Sequence, residues 1–293
     1  MKTPPTFNLI GAGRVGQTLA HLWHRQRCFA IQDVLTTSLA SALAACGVIG
    51  AGQAVASPAA LRPADVWMLA VPDAHIATAA QALADARPDL SEDKPAPVVF
   101  HCSGAQSSQA LAPLAARGWH VASAHCILSF ANVPTALQQF PGTPCALEGD
   151  DNACARLRAA FTTIGARCFD VESADKLLYH AAAVFATNFL PVLQATAEDL
   201  WQATGMPPEL VAQLRATLLR NAVDNITTLG PKQALTGPAA RVTPPPLHAK
   251  VRPSPSGTPR PARPMRHSAR WHCGWRGAIS ADRRRSKTCR PRP

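Results

Sequence analysis

The chain has 293 residues, 47% of them hydrophobic, and a formal net charge of +11. That is enough for one large or two ordinary domains with a full core. The absence of an unbroken apolar run of 18 residues argues against a membrane-spanning helix, and the start Met1-Lys2-Thr3-Pro4-Pro5 has no leader-like apolar stretch. Nine irregularly spaced cysteines without a CxxC pair argue against a disulfide framework or a metal site, and fit reduced thiols in a cytoplasm.

In chain order, Thr6–Ile10 reads as a short apolar strand running into Gly11-Ala12-Gly13-Arg14-Val15-Gly16, then a helix from Thr18. Strand, G-x-G-x-x-G and helix is the arrangement a dinucleotide pyrophosphate needs. Gly11 allows the tight turn, Gly13 lets the phosphates approach and Gly16 lets the helix pack. His21 and His24, on that helix, read as surface or packing residues. The second strand is expected at Ile31–Thr36, ending in Thr36-Thr37-Ser38. NAD enzymes usually carry an acid there. Its absence tilts the reading towards NADP over NAD, although no Arg follows to clamp a 2′-phosphate. Asp33 lies too early in the strand to be the ribose ligand.

Further buried strands are expected at Asp65–Val71, Val98–Phe100 and Trp119–Ala124, with shorter ones at Cys145–Leu147 and Arg167–Val171. Alanine-rich helices, such as Ala77–Ala86 and Gln109–Ala116, alternate with them. The fold class is therefore α/β: a Rossmann-like, doubly wound, mostly parallel sheet followed by an all-helical C-terminal domain. Ligands of such sheets sit at the carboxyl ends of the strands. Val71, Pro72 and Ser103 fall there and would line the nicotinamide side. So does the loop His125–Phe130. Cys102 lacks an acid partner and is not read as a nucleophile.

After Val171, Lys176–Thr204 reads as one long helix with a possible kink at Pro191. A second helix follows over Leu210–Leu229 and stops at Gly230-Pro231. Lys176, His180, Val184 and Asn188 are spaced four apart and share one face. The Lys could stabilise charge developing on a carbonyl oxygen, the His could serve as general acid or base, and the Asn could orient a substrate. The expected domains are 1–172 for NAD(P) binding, 173–241 for substrate and dimerisation, and 242–293 as a basic tail.

Residues 1–241 hold 16 Lys/Arg and 17 Asp/Glu, whereas 242–293 hold 13 Lys/Arg and one acid, with 10 of the 27 prolines. The excess charge is thus confined to the tail. Three readings stay open for it: a disordered nucleic-acid-binding arm, a membrane-surface patch, or an out-of-frame translation. Nucleic-acid binding would depend wholly on this segment. Trp271 and Trp275 lie in it and are not read as a stacking platform.

Together, Gly11–Gly16, Asp65–Asp73, His101-Cys102-Ser103-Gly104-Ala105, Ser123-Ala124-His125 with Ser129-Phe130, Lys176–Asn188 and Ala234–Pro238 resemble one bacterial family. It comprises the Rossmann-like oxidoreductases that carry the domain of unknown function numbered 2520. Its plan is similar to that of 6-phosphogluconate-dehydrogenase-like enzymes and pyrroline-5-carboxylate reductases. The resemblance implies an NAD(P)-dependent oxidoreductase acting on a small carbonyl, imine or hydroxyl substrate. It also implies a homodimer formed through the helical domain. Lys176, His180, Asn188 and His125 are the expected catalytic residues. A catalytically inactive dinucleotide sensor or scaffold is the competing reading. The β-hydroxyacid dehydrogenases carry Lys-x-x-x-Asn where this chain has Lys176 and His180, which argues against that particular chemistry.

Two departures from the family stand out. Cys126 replaces the proline that follows the histidine of the 125 loop. After Arg241 the family pattern Arg-Gly-Asp gives way to Val242-Thr243-Pro244-Pro245-Pro246-Leu247-His248-Ala249. Moving these codons by one base allows Gly-Asp-Thr-Ala-Thr-Val-Ala-Arg, the expected continuation. The resemblance therefore favours the out-of-frame reading of the tail.

Overall fold

The computed structural model describes residues 3–86 and 95–236. The tail and the boundary at Arg241 lie outside the described residues. The described chain falls into two compact units that divide between Leu218 and Leu219. The first holds the sheet and every candidate site residue.

Eight strands form one sheet: β1 (Thr6–Ile10), β2 (Ala30–Leu35), β3 (Gln53–Val55), β4 (Val66–Leu69), β5 (Val98–His101), β6 (His120–Cys126), β7 (Pro144–Gly149) and β8 (Arg167–Asp170). Their order is β3-β2-β1-β4-β5-β6-β7-β8. All neighbours are parallel except β6 and β7. The order reverses direction between β1 and β4, which opens the switch-point crevice of a doubly wound sheet. The expected strands are all present, with ends shifted by a few residues. The three-residue edge strand β3 carries no pattern of its own in the sequence.

The helices are α1 (Arg14–Arg25), α2 (Leu39–Ile49), α3 (Ile76–Ala86), α4 (Ala112–Ala115), α5 (Val133–Gln139), α6 (Asp151–Thr163), α7 (Lys176–Ala183), α8 (Phe189–Ala203) and α9 (Pro208–Leu229). The stretch expected as one helix over Gln109–Ala116 is a 3₁₀ turn, Ser108–Leu111, followed by α4. Between α7 and α8 the helix widens into a π segment, Val184–Asn188. Pro191 is the third residue of α8, just after it. Its ring and missing N–H do not fit the regular ladder, so the chain absorbs the defect one turn earlier rather than ending.

The chain through Ser173–Ala203 is long and apolar enough, by length and composition, to cross a membrane. It does not overturn the expectation of no membrane-spanning helix, because length and composition alone do not separate a span from a helix of a soluble protein. The polar residues of this segment interrupt the sequence pattern without interrupting the helix.

Side chains cover both sheet faces. On one, the buried Trp23 of α1 packs its ring 5.4 Å from Phe7, 5.4 Å from Phe29 and 5.1 Å from Phe161. Its indole N–H donates to the Ala160 carbonyl at 3.1 Å, joining α1 to α6. The other face buries Trp67, Leu69, Leu83, Leu114 and Trp119. Truncating Trp23 therefore removes the centre of an aromatic cluster and orphans a carbonyl. Trp23→Ala is expected to cost about 3–5 kcal/mol of unfolding free energy, read from urea denaturation. A loss below about 1 kcal/mol would show that the cluster repacks.

Candidate active site

The loop after β1 has the geometry that its glycines imply. Gly11 sits at φ +80°, and a Cβ there would lie 2.6 Å from the Ala70 carbonyl oxygen and 2.8 Å from Val71 Cγ1. Only glycine lets β1 turn against the end of β4. A Cβ on Gly16 would meet the Gly11 carbonyl oxygen at 2.9 Å, so the helix packs directly on the turn. By contrast, a Cβ on Gly13 would meet nothing within 4 Å. Gly13 is the N-cap of α1, with no side-chain cap and no acid in the first turn. The Gly11 N–H donates to the Leu35 carbonyl at 2.8 Å, whereas the N–H groups at the start of α1 carry no side-chain cap and suit a pyrophosphate, which the helix dipole favours. Arg14 is exposed and Ala12 and Val15 half-buried beside this space. The residues present thus fit a bound dinucleotide.

At the end of β2, Thr36, Thr37 and Ser38 surround the start of α2. Ser38 caps the helix by accepting the Ser41 N–H at 3.2 Å. Thr36 Oγ1 donates to the Ser38 carbonyl at 2.8 Å and also hydrogen-bonds Ser41 Oγ. Ser41 thus joins the hydroxyl cluster through its place three residues after the cap. Asp33 is spent elsewhere. It is 1% exposed, accepts the Arg62 N–H at 2.6 Å and pairs with the Arg62 guanidinium at 2.6 Å. The aspartate is structural.

A continuous strip of contacts leads from the glycine loop to the long helix. Beyond Val71 and Pro72, Asp73 accepts a hydrogen bond from Ser103 Oγ at 2.6 Å. Ser103 Oγ also accepts from the Ala105 and Gln106 amides, at 3.2 and 3.0 Å. His101, fully buried, braces the same loop: its Nδ1 accepts the Ser103 N–H at 3.1 Å, and its Nε2 lies 3.0 Å from the Ser107 carbonyl. Burial pulls its pKa below the usual imidazole value. The Ser103 carbonyl in turn accepts from Lys176 Nζ at 3.0 Å.

Lys176 is 1% exposed. Its second bond is to Ser123 Oγ of β6, at 2.5 Å. Among the described residues no carboxylate lies within salt-bridge distance of it. Burial lowers its pKa, and the more distant carboxylates of Glu148 and Asp73 partly oppose this. Glu148 is itself buried, and accepts from the Ser108 N–H (2.7 Å), Ser108 Oγ (2.8 Å) and Ser173 Oγ (2.5 Å). It ties the start of the helical segment to β7.

His125 and His180 meet over Gly104. Their ring centroids are 6.0 Å apart. A Cβ on Gly104 would lie 2.6 Å from His180 Nδ1 and 2.9 Å from His125 Nε2, so glycine is required for the two imidazoles to close on this loop. His180 Nδ1 is buried with no hydrogen-bond partner. His125 Nδ1 lies 2.8 Å from the Tyr179 hydroxyl. Burial, then the Lys176 charge and His180, push His125 down to about 4.

The expected residues thus divide. Lys176, His180, His125 and Ser103 gather at one place, next to Val71 and Pro72. Asn188 is exposed, and its amide oxygen accepts from Thr187 Oγ1 at 2.9 Å. The π segment turns it off the Lys176–His180 stripe, because a wider turn advances more residues per revolution. Ser123 and Tyr179 belong to the site without having been expected there, while Asp73 and Gly104 lie in strand-end loops, 71–75 and 101–104, that were expected to face a ligand. Cys102 is half-buried, with its pKa raised by desolvation, as suits an inert thiol.

Residues 5–126 match a Rossmann-like domain, and residues 143–245 match the domain of unknown function DUF2520. The chain thus carries a Rossmann-like domain followed by DUF2520, the arrangement its motifs indicated. No curated protein matches it. Among solved structures it resembles protein TM1727 from Thermotoga maritima at 28% identity, TM-score 0.62, covering 81% of this chain and 85% of that one. It shares its fold with BF3122 from Bacteroides fragilis, a "putative NADP oxidoreductase", at 23% identity, TM-score 0.64, covering 82% and 87%. The fold also extends to a pyrroline carboxylate reductase from Plasmodium falciparum with NADP bound, at 12% identity, TM-score 0.54, covering 82% and 87%.

The acid response of His125 follows from its surroundings. Its folded pKa is depressed from 6.5 to about 4. Below about pH 6.5 the unfolded chain binds a proton that the folded chain refuses, so stability present above that pH is lost as pH falls towards 4. The urea midpoint is expected to drop across this window, and more gently for His125→Gln. Identical drops would assign the acid sensitivity to other groups.

Proposed function

We propose that this protein is an NAD(P)-dependent oxidoreductase that moves a hydride between a nicotinamide dinucleotide and a small carbonyl, imine or hydroxyl substrate. One observation carries the reading: the open turn at Gly11–Gly16 runs through Val71, Pro72, Asp73 and Ser103 into the buried Lys176. A pyrophosphate-binding turn and a desolvated ammonium with two imidazoles are linked along the carboxyl ends of β1, β4, β5 and β6.

The dinucleotide supplies the hydride chemistry, so the chain need only position and polarise. Gly11, Ala12, Gly13, Arg14, Val15 and Gly16 hold the pyrophosphate. Val71, Pro72 and Ser103 flank the nicotinamide. Lys176 stabilises negative charge growing on a substrate oxygen, where the dry surroundings strengthen its field. His125 and His180 stand beside it for proton transfer. Thr36, Thr37 and Ser38, with Ser41, offer hydroxyls to a 2′-phosphate and present no acid to repel one, which favours NADP over NAD. An intracellular setting suits the free cysteines.

A fluorescence titration of the chain with NADPH and NADH tests this. Saturable binding, tighter for NADPH, is expected. Tighter NADH binding would overturn the cofactor preference, and no binding by a folded chain would overturn the enzyme. Binding with no turnover over a panel of small ketones, imines and alcohols would favour the sensor.

The same reading includes a homodimer. Leu177, Leu178, Phe185, Val192, Leu193 and Leu200 are all exposed, Leu178 by 73% and Leu193 by 62%. An apolar face of this extent is unusual on a monomer. A second copy covering this face would make sedimentation report a dimer, and Leu178→Glu with Leu193→Glu is expected to shift it to monomer. A wild-type monomer would rule the dimer out.

A further inference from the structure

We infer that Tyr179 fixes His125 as its Nε2–H tautomer, so that a substrate entering beside Gly104 meets a neutral hydrogen-bond donor suited to a carbonyl oxygen or an imine nitrogen. The reaction in this inference rests on the oxidoreductase reading; the tautomer does not.

Tyr179 Oη and His125 Nδ1 are 2.8 Å apart, with the rings edge to face. Either could donate in principle. Burial raises the Tyr179 pKa, and the neighbouring Cys145 and Cys126 raise it further, so the phenol keeps its proton. Among the described residues the phenolic O–H has no acceptor other than Nδ1, so it donates there, and the proton of the neutral ring then sits on Nε2. Nε2 has no hydrogen-bond partner among the described residues. It faces Gly104, where a missing side chain leaves it uncovered. His180 Nδ1 reaches the same glycine, buried and without a partner. A substrate whose acceptor atom meets Nε2–H, with a polar group near His180, would satisfy both rings.

The other side of Tyr179 faces water. It lines an open depression of about 450 Å³ with Asp170, Val171, Glu172, Asp175, Leu178 and Ala182. The Tyr179 side chain thus stands between the half-buried imidazole and this depression. In a reduction, the carbonyl carbon gains the hydride of the reduced dinucleotide, which is oxidised. The carbonyl oxygen takes the proton of His125 Nε2. Nδ1 takes the phenolic proton and a solvent proton replaces it on Tyr179, a net uptake of one proton; once the product has left, the ring exchanges its Nδ1 proton for one on Nε2 and the starting tautomer returns. The C=O becomes CH–OH, and the imidazole stays neutral throughout. That suits a ring whose charged form is disfavoured by burial and by Lys176. Tyr179 is a positioning residue in this scheme, because it touches His125 and not the substrate.

The test is a long-range proton–nitrogen NMR spectrum of the full chain labelled with ¹⁵N-histidine, with His125→Gln to assign the ring. The expected wild-type result near neutral pH is a single Nε2–H tautomer with a bare Nδ1. Tyr179→Phe should convert it to an averaged mixture of the two tautomers. A proton on Nδ1 in the wild type would overturn the inference, as would a Tyr179→Phe spectrum identical to wild type. If the phenylalanine variant does not fold, the wild-type spectrum decides alone. An NADPH titration of the same sample separates the two failures. Binding with the wrong tautomer sinks this inference only, and the right tautomer without binding sinks the oxidoreductase reading only.

Discussion

The structure turns on one buried ammonium. Lys176 opens α7, yet its side chain runs into the sheet and ends on the Ser103 carbonyl and the Ser123 hydroxyl. Removing such a charge from water costs several kcal/mol, and two neutral oxygens offset only part of it. The compensation comes from the layout: the loop after β5, the strand β6 and the helical segment all meet at Nζ. Glu148, bound to Ser108 and Ser173, pins the adjoining backbone from the other direction. The helical segment is thereby locked to the carboxyl ends of the strands, where a doubly wound sheet places its ligands.

Loops of small residues make that convergence possible. Gly11 lets β1 turn against Ala70 and Val71, and Gly104 lets two imidazoles close on the loop that Lys176 holds. His101 gives this loop its shape by accepting an amide N–H at Nδ1 and reaching the Ser107 carbonyl from Nε2. Three histidines thus stand in one neighbourhood with different duties. His101 is spent on backbone. His125 leans on Tyr179, and His180 keeps a nitrogen in reserve. Burial disfavours the charged forms of His101 and His125, and Lys176 is the ammonium beside them for a developing oxyanion to meet.

The sheet was largely legible in the sequence for a physical reason. Strands buried on both faces need apolar runs such as Val66–Leu69 and Val98–Phe100, and these stand out against polar loops. The glycine loop was legible because its spacing answers to backbone sterics. Lys176 and His180 were legible through their four-residue spacing. The same rule placed Asn188 with them, and there it reached its limit: a π segment ahead of Pro191 changes the residues per turn, which no spacing of side chains announces. Tyr179 lay hidden for the converse reason. It points about 100° away from His180 on the helix, and its partner His125 is brought beside it by the sheet, from 54 residues away. Ser41 was hidden behind the cap it completes.

The exposed helix and the unusual tail meet in one argument. The family match ends at residue 245, a few residues past Arg241, where the chain turns from near-neutral to strongly basic. Up to that point charge, hydrophobic pattern and motif all follow the family. Beyond it the composition has no capacity to build an amphipathic face. The segment from Ser173 to Ala203, whose apolar window holds no buried residue, has an apolar side to cover. In the dimer proposed above, a second copy of the same helix supplies that cover. The buried Lys176 fixes one side of this segment firmly enough for the other side to remain available.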